Sequence, residues 1–193
     1  MQSLRTPADV QAALRALLSS HLSPELMALA QPVLDDPRFW TAPASATMHH
    51  AFTGGLAEHT LEVMEGCLDI AGRNPLLRKE ILLLAALWHD YAKIWDYVAC
   101  PTTEKNPYGF ANTAHYKRQR HLAKGYALFF AHATGKAPEA LIDDISHLML
   151  AHHGRREWGS PVEPQTQEAW ALHLSDMISV DCRADLTKPE TAG

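Results

Sequence analysis

The stretch LLRKEILLLAALWHDYAKIWDY, Leu76 to Tyr97, decides how the rest of the chain is read. It reads as one helix, apolar nearly all round from Ile81 to Trp88, a pattern expected of the buried centre of a domain. His89 and Asp90 stand at the end of that buried run, where an ionisable pair is expensive unless it is paired or bound to a metal. Adjacent helical residues point about 100° apart, so the two would grip one ion from neighbouring angles. Lys93 follows on the same helical face. An ammonium cannot be a ligand beside a divalent metal, but it can hold an anionic substrate against one. A plain salt bridge between Asp90 and Lys93 at a helix end is the other reading.

Outward from this helix the pattern stays helical almost throughout. Thr6-Pro7 followed by Asp9 opens a first helix running to about Ser20, and Ser23-Pro24 opens a second. Asp35 to Ser45, rich in Pro, Ala and Asp, reads as an irregular link, so residues 1–44 are expected to form a short N-terminal helical extension. The main domain is expected over residues 45–186, with a flexible tail at 187–193. Within the domain, Gly54-Gly55 marks a tight turn, and Leu56, Leu61, Met64, Leu68 and Ala71 follow at helical spacing. Ala99 to Thr113, with two prolines and a glycine, reads as a loop. Helices are expected at about 114–133, at 138–153 between Pro138 and Gly154, and at about 166–185. Nothing alternates like a strand, and the expected fold is all-α, a helical bundle.

Composition narrows the function. The 193 residues are 47 % hydrophobic and 20 % charged, the mix of a soluble globular protein. Cys67, Cys100 and Cys182 lie far apart without a CxxC pair, which argues against a disulfide framework or a cysteine zinc site and suits a reducing cytoplasm. The first residues carry no pattern of a secretory signal, and the longest apolar run is far too short to cross a bilayer. Location in the cytoplasm, away from membranes, is therefore expected. Formal net charge is −5 and no Lys/Arg-rich block occurs, so binding of a long nucleic-acid duplex by this chain is not expected.

Against this ordinary background stand 12 histidines. Histidine is the commonest metal ligand, and several fall where packing residues belong. His59 stands mid-helix. His121 begins the apolar run HLAKGYALFF, and His152-His153 close a helix behind Leu148-Met149-Leu150-Ala151. Asp176 interrupts the last apolar helix, with His173 one turn before it. One polar intrusion per major helix is how bundles assemble metal sites from facing helices. Imidazole and carboxylate ligands suit Mn, Fe, Co, Ni or Zn rather than Ca or Mg.

The order His59, His89-Asp90, His121, His152, Asp176 resembles the HD superfamily of metal-dependent phosphohydrolases. MHHAFTGGLAEHTLEV, WHDYAKIWDY and HHGRREWGSPVEPQTQEAWALHLSD are similar to the HD domain of YhaM-type 3′→5′ exoribonucleases, and PAS-x-x-x-HH-x-x-x-GGL-x-x-H also resembles HD domains attached to conjugative relaxases. The resemblance covers about residues 45–185. It implies a first metal held by His59, His89, Asp90 and Asp176. A second would be held by His121 and His152, with Asp90 bridging and His153 as an outer ligand or substrate contact. Two ions about 3.5–4 Å apart would polarise the phosphoryl oxygens and supply the attacking hydroxide, with Lys93 neutralising the phosphate. Asp90 and Lys93 are the implied catalytic pair. The YhaM-type enzymes carry an oligonucleotide-binding domain, for which these 193 residues leave no room. HDYAK lacks the acidic pair of alarmone hydrolases, and HHGRREWGSP lacks the signature of cyclic dinucleotide phosphodiesterases.

The expected substrate is a nucleotide or a short oligonucleotide end. Arg155, Arg156 and Trp158, on the loop after the histidine pair, are candidates to grip phosphate and stack on a base. His49 and His50, before the Gly-Gly turn, are candidates to border the pocket, with structural capping as the alternative; His50 is counted among the substrate contacts. His115, Tyr116, Lys117 and Arg118 form a further candidate edge, while His21, His132 and His147 read as surface or packing residues. Two other readings stand beside the phosphohydrolase: a di-iron oxygenase on the same ligands, and a non-catalytic module binding a nucleotide or a protein partner. Lys93 favours phosphate over the first, and the intact ligand set argues against the second. The oligomeric state, including a homo-oligomer, is left open.

Overall fold

The computed structural model describes residues 5–184, so the expected tail at 187–193 lies outside the described residues. Eight α-helices run through that span: α1 (Pro7–His21), α2 (Pro24–Leu34), α3 (Gly55–Arg73), α4 (Lys79–Trp88), α5 (Ala114–Arg118), α6 (Arg120–Ala133), α7 (Glu139–Ala151) and α8 (Gln167–Ala184). Helix α4 is the centre, with every residue from Ile81 to Trp88 buried. Around it pack α3, α7, α8, α2 and α1. Burying a side chain the size of Leu or Phe contributes about 1.5–3 kcal/mol. Leu14, Leu29, Leu61, Leu82, Phe129, Leu148 and Leu172, from seven helices, all lie in one apolar cluster. The N-terminal pair α1–α2 shares that cluster with the rest of the bundle.

Local chemistry sets the boundaries. Thr6 and Ser23 cap α1 and α2, each accepting from a backbone N–H three residues on. The turn into α3 needs both glycines for different reasons. Gly54 has φ +85°, whereas a Cβ on Gly55 would lie 2.0 Å from the His50 carbonyl oxygen. Gly154, at φ +80°, reverses the chain after α7 with its Cα packed beneath the His173 ring.

Three expectations are corrected. The single helix expected over Leu76–Tyr97 is α4 followed by a 3₁₀ turn, Tyr91–Trp95, with Asp90 at φ −111°, ψ 0° between them. The apolar pattern runs on through Tyr91, Ala92, Ile94 and Trp95, so periodicity carries no sign of the break. The expected loop at 99–113 contains part of a small antiparallel ribbon, β1 (Tyr97–Ala99) and β2 (Phe110–Asn112), in register Val98↔Ala111. Its strands are three residues each, too short for alternation to register. The helix expected at 114–133 divides into α5 and α6 at Arg120, whose φ is +60°. Among the described residues the non-glycine positions with positive φ are His50 and Arg120. Such backbone costs roughly 1–2 kcal/mol and clusters at functional sites. Here each residue adjoins a histidine of the site, His49 and His121.

Candidate metal centre

Four helices and the turn after α4 bring His59, His89, Asp90, His121, His152 and Asp176 to one buried point. His59 projects from the middle of α3, His121 from the first turn of α6 and Asp176 from α8. His89 and His152 arrive by the same device. Each is the residue after a helix ends, and each places Nδ1 on the carbonyl three residues back, at 2.7 Å from Ala86 and 2.6 Å from Met149. The last carbonyls of a helix lack backbone partners, and a histidine there can cap one of them. A carbonyl only accepts, so Nδ1 carries the proton and Nε2 turns a lone pair to the centre. His59 behaves alike. Ser179 Oγ donates to Glu62 at 2.8 Å and therefore accepts from His59 Nδ1 at 3.0 Å.

Asp90 stands between the rings. Its Oδ2 lies 3.3 Å from His59 Nε2 and 3.5 Å from His89 Nε2, while Oδ1 lies 3.3 Å from His121 Nε2 and 3.7 Å from His152 Nε2. Asp176 Oδ1 closes the first group, 3.2 Å from His59 Nε2 and 3.9 Å from His89 Nε2. Donor atoms about 2.0–2.2 Å from a shared ion sit about 3–4 Å from one another, the spacing found here. Three sets of donors converge within 4.8 Å: His59–His89–Asp176, His89–Asp90–His152 and His121–His152–His153. Asp90 Oδ1 and His121 Nε2 are buried without a hydrogen bond. The residues thus fit one cation on each side of Asp90.

Charge in the cluster is balanced by proximity. Lys93 Nζ lies 2.5 Å from Asp90 Oδ2, so the helix-end ion pair foreseen from spacing does form, across the 3₁₀ turn. Burial pushes the Asp90 pKa up, but the Lys93 ammonium foremost outweighs it and holds the carboxyl well below its usual range. Burial likewise opposes ionisation of Asp176, and the hydrogen bond and charge of His59 overcome it. Burial also disfavours protonation of His59, yet Asp176 and Asp90 raise it to about 9. A proton and a metal therefore compete for His59 Nε2. His89 and His152 are pushed down, chiefly by burial, and stay neutral.

A cavity of about 290 Å³ opens over this cluster, lined by His49, Asp90, Lys93, His152, His153, Trp158, Asp176, Met177 and Val180. A second cavity of about 220 Å³, between α1 and the Gly54 turn, has none of these residues in its wall. Of the residues expected to touch substrate, Lys93, His153 and Trp158 line the cavity over the cluster. His50 does not. Its left-handed backbone turns the ring into the core, where Nε2 lies 3.0 Å from Glu62 Oε2. His49 takes the place at the cavity, its Nε2 buried without a hydrogen bond and its pKa lowered by burial to about 3. Adjacent histidines offer no sequence signal for which one faces inward. Arg155 and Arg156 are exposed and lie outside the cavity wall, Arg155 stacking 5.1 Å from the Trp158 ring.

A family profile described as HD domain matches residues 56–181. The chain belongs to the HD domain family. Its relatives include the 3′-5′ exoribonuclease YhaM of Bacillus velezensis (strain DSM 23117 / BGSC 10A6 / LMG 26770 / FZB42), 31 % identical over 161 residues, which span 78 % of this chain and 48 % of that protein. The 3′-5′ exoribonuclease YhaM of Bacillus subtilis (strain 168) is 30 % identical over 148 residues, 74 % of this chain and 44 % of its own length. The chain thus spans about half the length of these HD relatives. No solved structure gives a significant match. Among the described residues, no helix of this HD protein is long and apolar enough to cross a membrane.

Proposed function

We propose that this chain is a metal-dependent phosphohydrolase, a phosphomonoesterase or phosphodiesterase, acting on nucleotides or short oligonucleotide ends. One observation carries the reading: the two oxygens of Asp90 address two separate histidine pairs, and Lys93 stands beside Asp90 in the cavity wall. Membership of the HD family supports metal dependence, and the YhaM relatives, named as 3′-5′ exoribonucleases, support a strand end as substrate. The ligand set is His59, His89, Asp90 and Asp176 for one divalent ion, and Asp90, His121 and His152 for a second, with Mn, Fe, Co, Ni or Zn as the metals whose chemistry suits these donors.

Ions bound there supply Lewis-acid polarisation of a phosphoryl oxygen and a water acidic enough to attack at neutral pH. The protein's own groups do the remaining work. Lys93 presents a buried positive charge to the phosphate. His49 and His153, kept neutral by burial, offer N–H donors at the cavity wall. Trp158 offers a half-exposed face for a base or sugar. The cavity volume sits just below the usual range for small-ligand sites, about 300–1,000 Å³, which suits one nucleotide. The same proposal takes residues 45–186 as the catalytic domain, 1–44 as its helical extension, and the cytoplasm as its setting, where free Cys67 and Cys100 stay reduced.

The test is a hydrolysis panel of p-nitrophenyl esters, mononucleotides and short RNA and DNA, each with Mn, Co, Ni, Fe, Zn and Mg. Metal-dependent release of phosphate or nucleotide supports the reading. Inactivity throughout, with metal shown to be bound, removes it.

A further inference from the structure

Two carboxylates that belong to neither proposed ligand set stand directly behind the cluster. Asp96 ends the 3₁₀ turn after α4 and is fully buried. Its Oδ2 lies 3.4 Å from His121 Nδ1, and its Oδ1 lies 2.9 Å from His115 Nδ1. Its main chain is fixed as well, the N–H donating to Lys93 at 2.9 Å and the carbonyl accepting from Thr113 at 2.9 Å. On the opposite side, Glu62 Oε2 accepts from Ser179 Oγ, which accepts from His59 Nδ1, and the same oxygen lies 3.0 Å from His50 Nε2. The chains are therefore His121–Asp96–His115 and His59–Ser179–Glu62–His50, and they end on different oxygens of Asp90.

The remaining two rings are held differently. His89 and His152 are locked by main-chain carbonyls, whose acceptor strength no side-chain substitution changes. Each half of the centre so combines one histidine set by the backbone with one set by a carboxylate, Asp96 fully buried and Glu62 partly exposed. A carboxylate beside Nδ1, as the charged neighbour 3.4 Å away for Asp96 or through the Ser179 hydroxyl for Glu62, orients the ring and strengthens Nε2 as a donor. A second histidine on that carboxylate fixes where it points.

We infer that Asp96 with His115, and Glu62 with His50, are positioning pairs that set the affinities of the two metal positions separately. The inference rests on the metal reading above and adds that each position has its own control. It gives a role to His50, which the cavity leaves out, and to His115, whose Nε2 is buried without a hydrogen bond.

The experiment titrates chelator-stripped full-length protein with Co²⁺, reading heat and the visible Co²⁺ absorption, for the unchanged chain and for Asp96→Asn, His115→Gln, Glu62→Gln and His50→Gln. Asp96→Asn should weaken one of two binding steps about 10- to 100-fold, and Glu62→Gln should weaken the other by a similar factor. His115→Gln and His50→Gln should act on the same steps as their partners, with smaller factors. Asp96→Glu should recover part of the loss and restore the absorption of that step. Circular dichroism checks folding. Should Asp96→Asn fail to fold, His115→Gln decides that side, since its side chain is partly exposed and outside the apolar core. An unchanged protein that takes up no Co²⁺ removes the metal reading itself. One that binds a single ion, or two whose steps respond alike or not at all to the two carboxylate variants, overturns the inference while leaving metal binding in place.

Discussion

Asp90 Oδ1 and His121 Nε2 face each other across 3.3 Å, both buried and neither hydrogen-bonded. A buried polar atom left in that condition costs about 1–3 kcal/mol, and a cation between the two would relieve both. Asp90→Asn should therefore lower metal content at both positions, whereas His121→Ala should leave one ion per chain. Elemental analysis of protein purified without chelators decides it. Two ions retained in the His121 variant would show that this histidine is no ligand.

Lys93 and a metal compete for the same oxygen, because the ammonium lies 2.5 Å from Asp90 Oδ2. Lys93→Ala should leave metal affinity unchanged or tighter while lowering kcat for phosphoester hydrolysis about 10²–10³-fold, the usual loss for one electrostatic contact to a transition state. Loss of metal in this variant would place Lys93 among the groups that hold the ion.

The stripped protein should lose stability as pH falls from 7 to 5. His49 and His153, at about 3 and about 4, sit below the ordinary imidazole value, so in this window the unfolded chain binds protons that the folded chain refuses. His59 is raised to about 9, and its contribution is already complete below the ordinary value near 6.5. The carboxylates Asp90 and Asp176 titrate below the window in both states. Thermal melts at pH 5, 6 and 7 with a chelator present check the direction. A midpoint that rises toward pH 5 would contradict it.

Trp158 lines the cavity and the two arginines beside it do not. Loss of a stacking face costs about 1–3 kcal/mol per base, so Trp158→Ala should raise KM for nucleotides roughly 5- to 150-fold. The same change should barely affect p-nitrophenyl phosphate. Few phosphates are neutralised at such a site, and the slope of log affinity against log salt should stay near −1 for a short oligonucleotide. A steep slope with a long strand would point to a larger nucleic-acid surface.

Gly55→Ala should unfold the protein or cost at least about 3 kcal/mol, since the new Cβ would meet the His50 carbonyl at 2.0 Å, and overpacking of this kind costs about 1–3 kcal/mol even where side chains can yield. Urea denaturation of the variant checks this. A near-native midpoint would mean that the His50 turn can shift.

Much of this arrangement was legible in the sequence, for a physical reason. Polar residues at the ends or inner faces of apolar helices are costly, so His59, His89-Asp90, His121, His152 and Asp176 stood out from the runs around them. What remained hidden depends on torsions and on distant partners. The left-handed backbone of His50 turns it away from the cavity that His49 lines, and spacing carries no trace of it. The 3₁₀ turn after Trp88 is as apolar as the helix before it. Arg155 and Arg156 follow His152 and His153 closely in sequence, yet beyond the reversal at Gly154 they lie outside the cavity. Ser179 and Glu62 are joined across 117 positions, a pairing no local pattern reports.

Trp88, the residue immediately before His89, donates its indole N–H to the Leu29 carbonyl in α2 at 3.0 Å. The family match begins at residue 56, so this bond crosses its border. Homology and packing therefore divide the chain at different places. A graft carrying residues 56–181 alone would leave an indole donor without its acceptor and bare the flank that Leu14, Leu18 and Val33 now cover. The matched segment shares its packing with the first two helices, so a chimera should bring them along or supply a substitute surface beside His89 and Asp90.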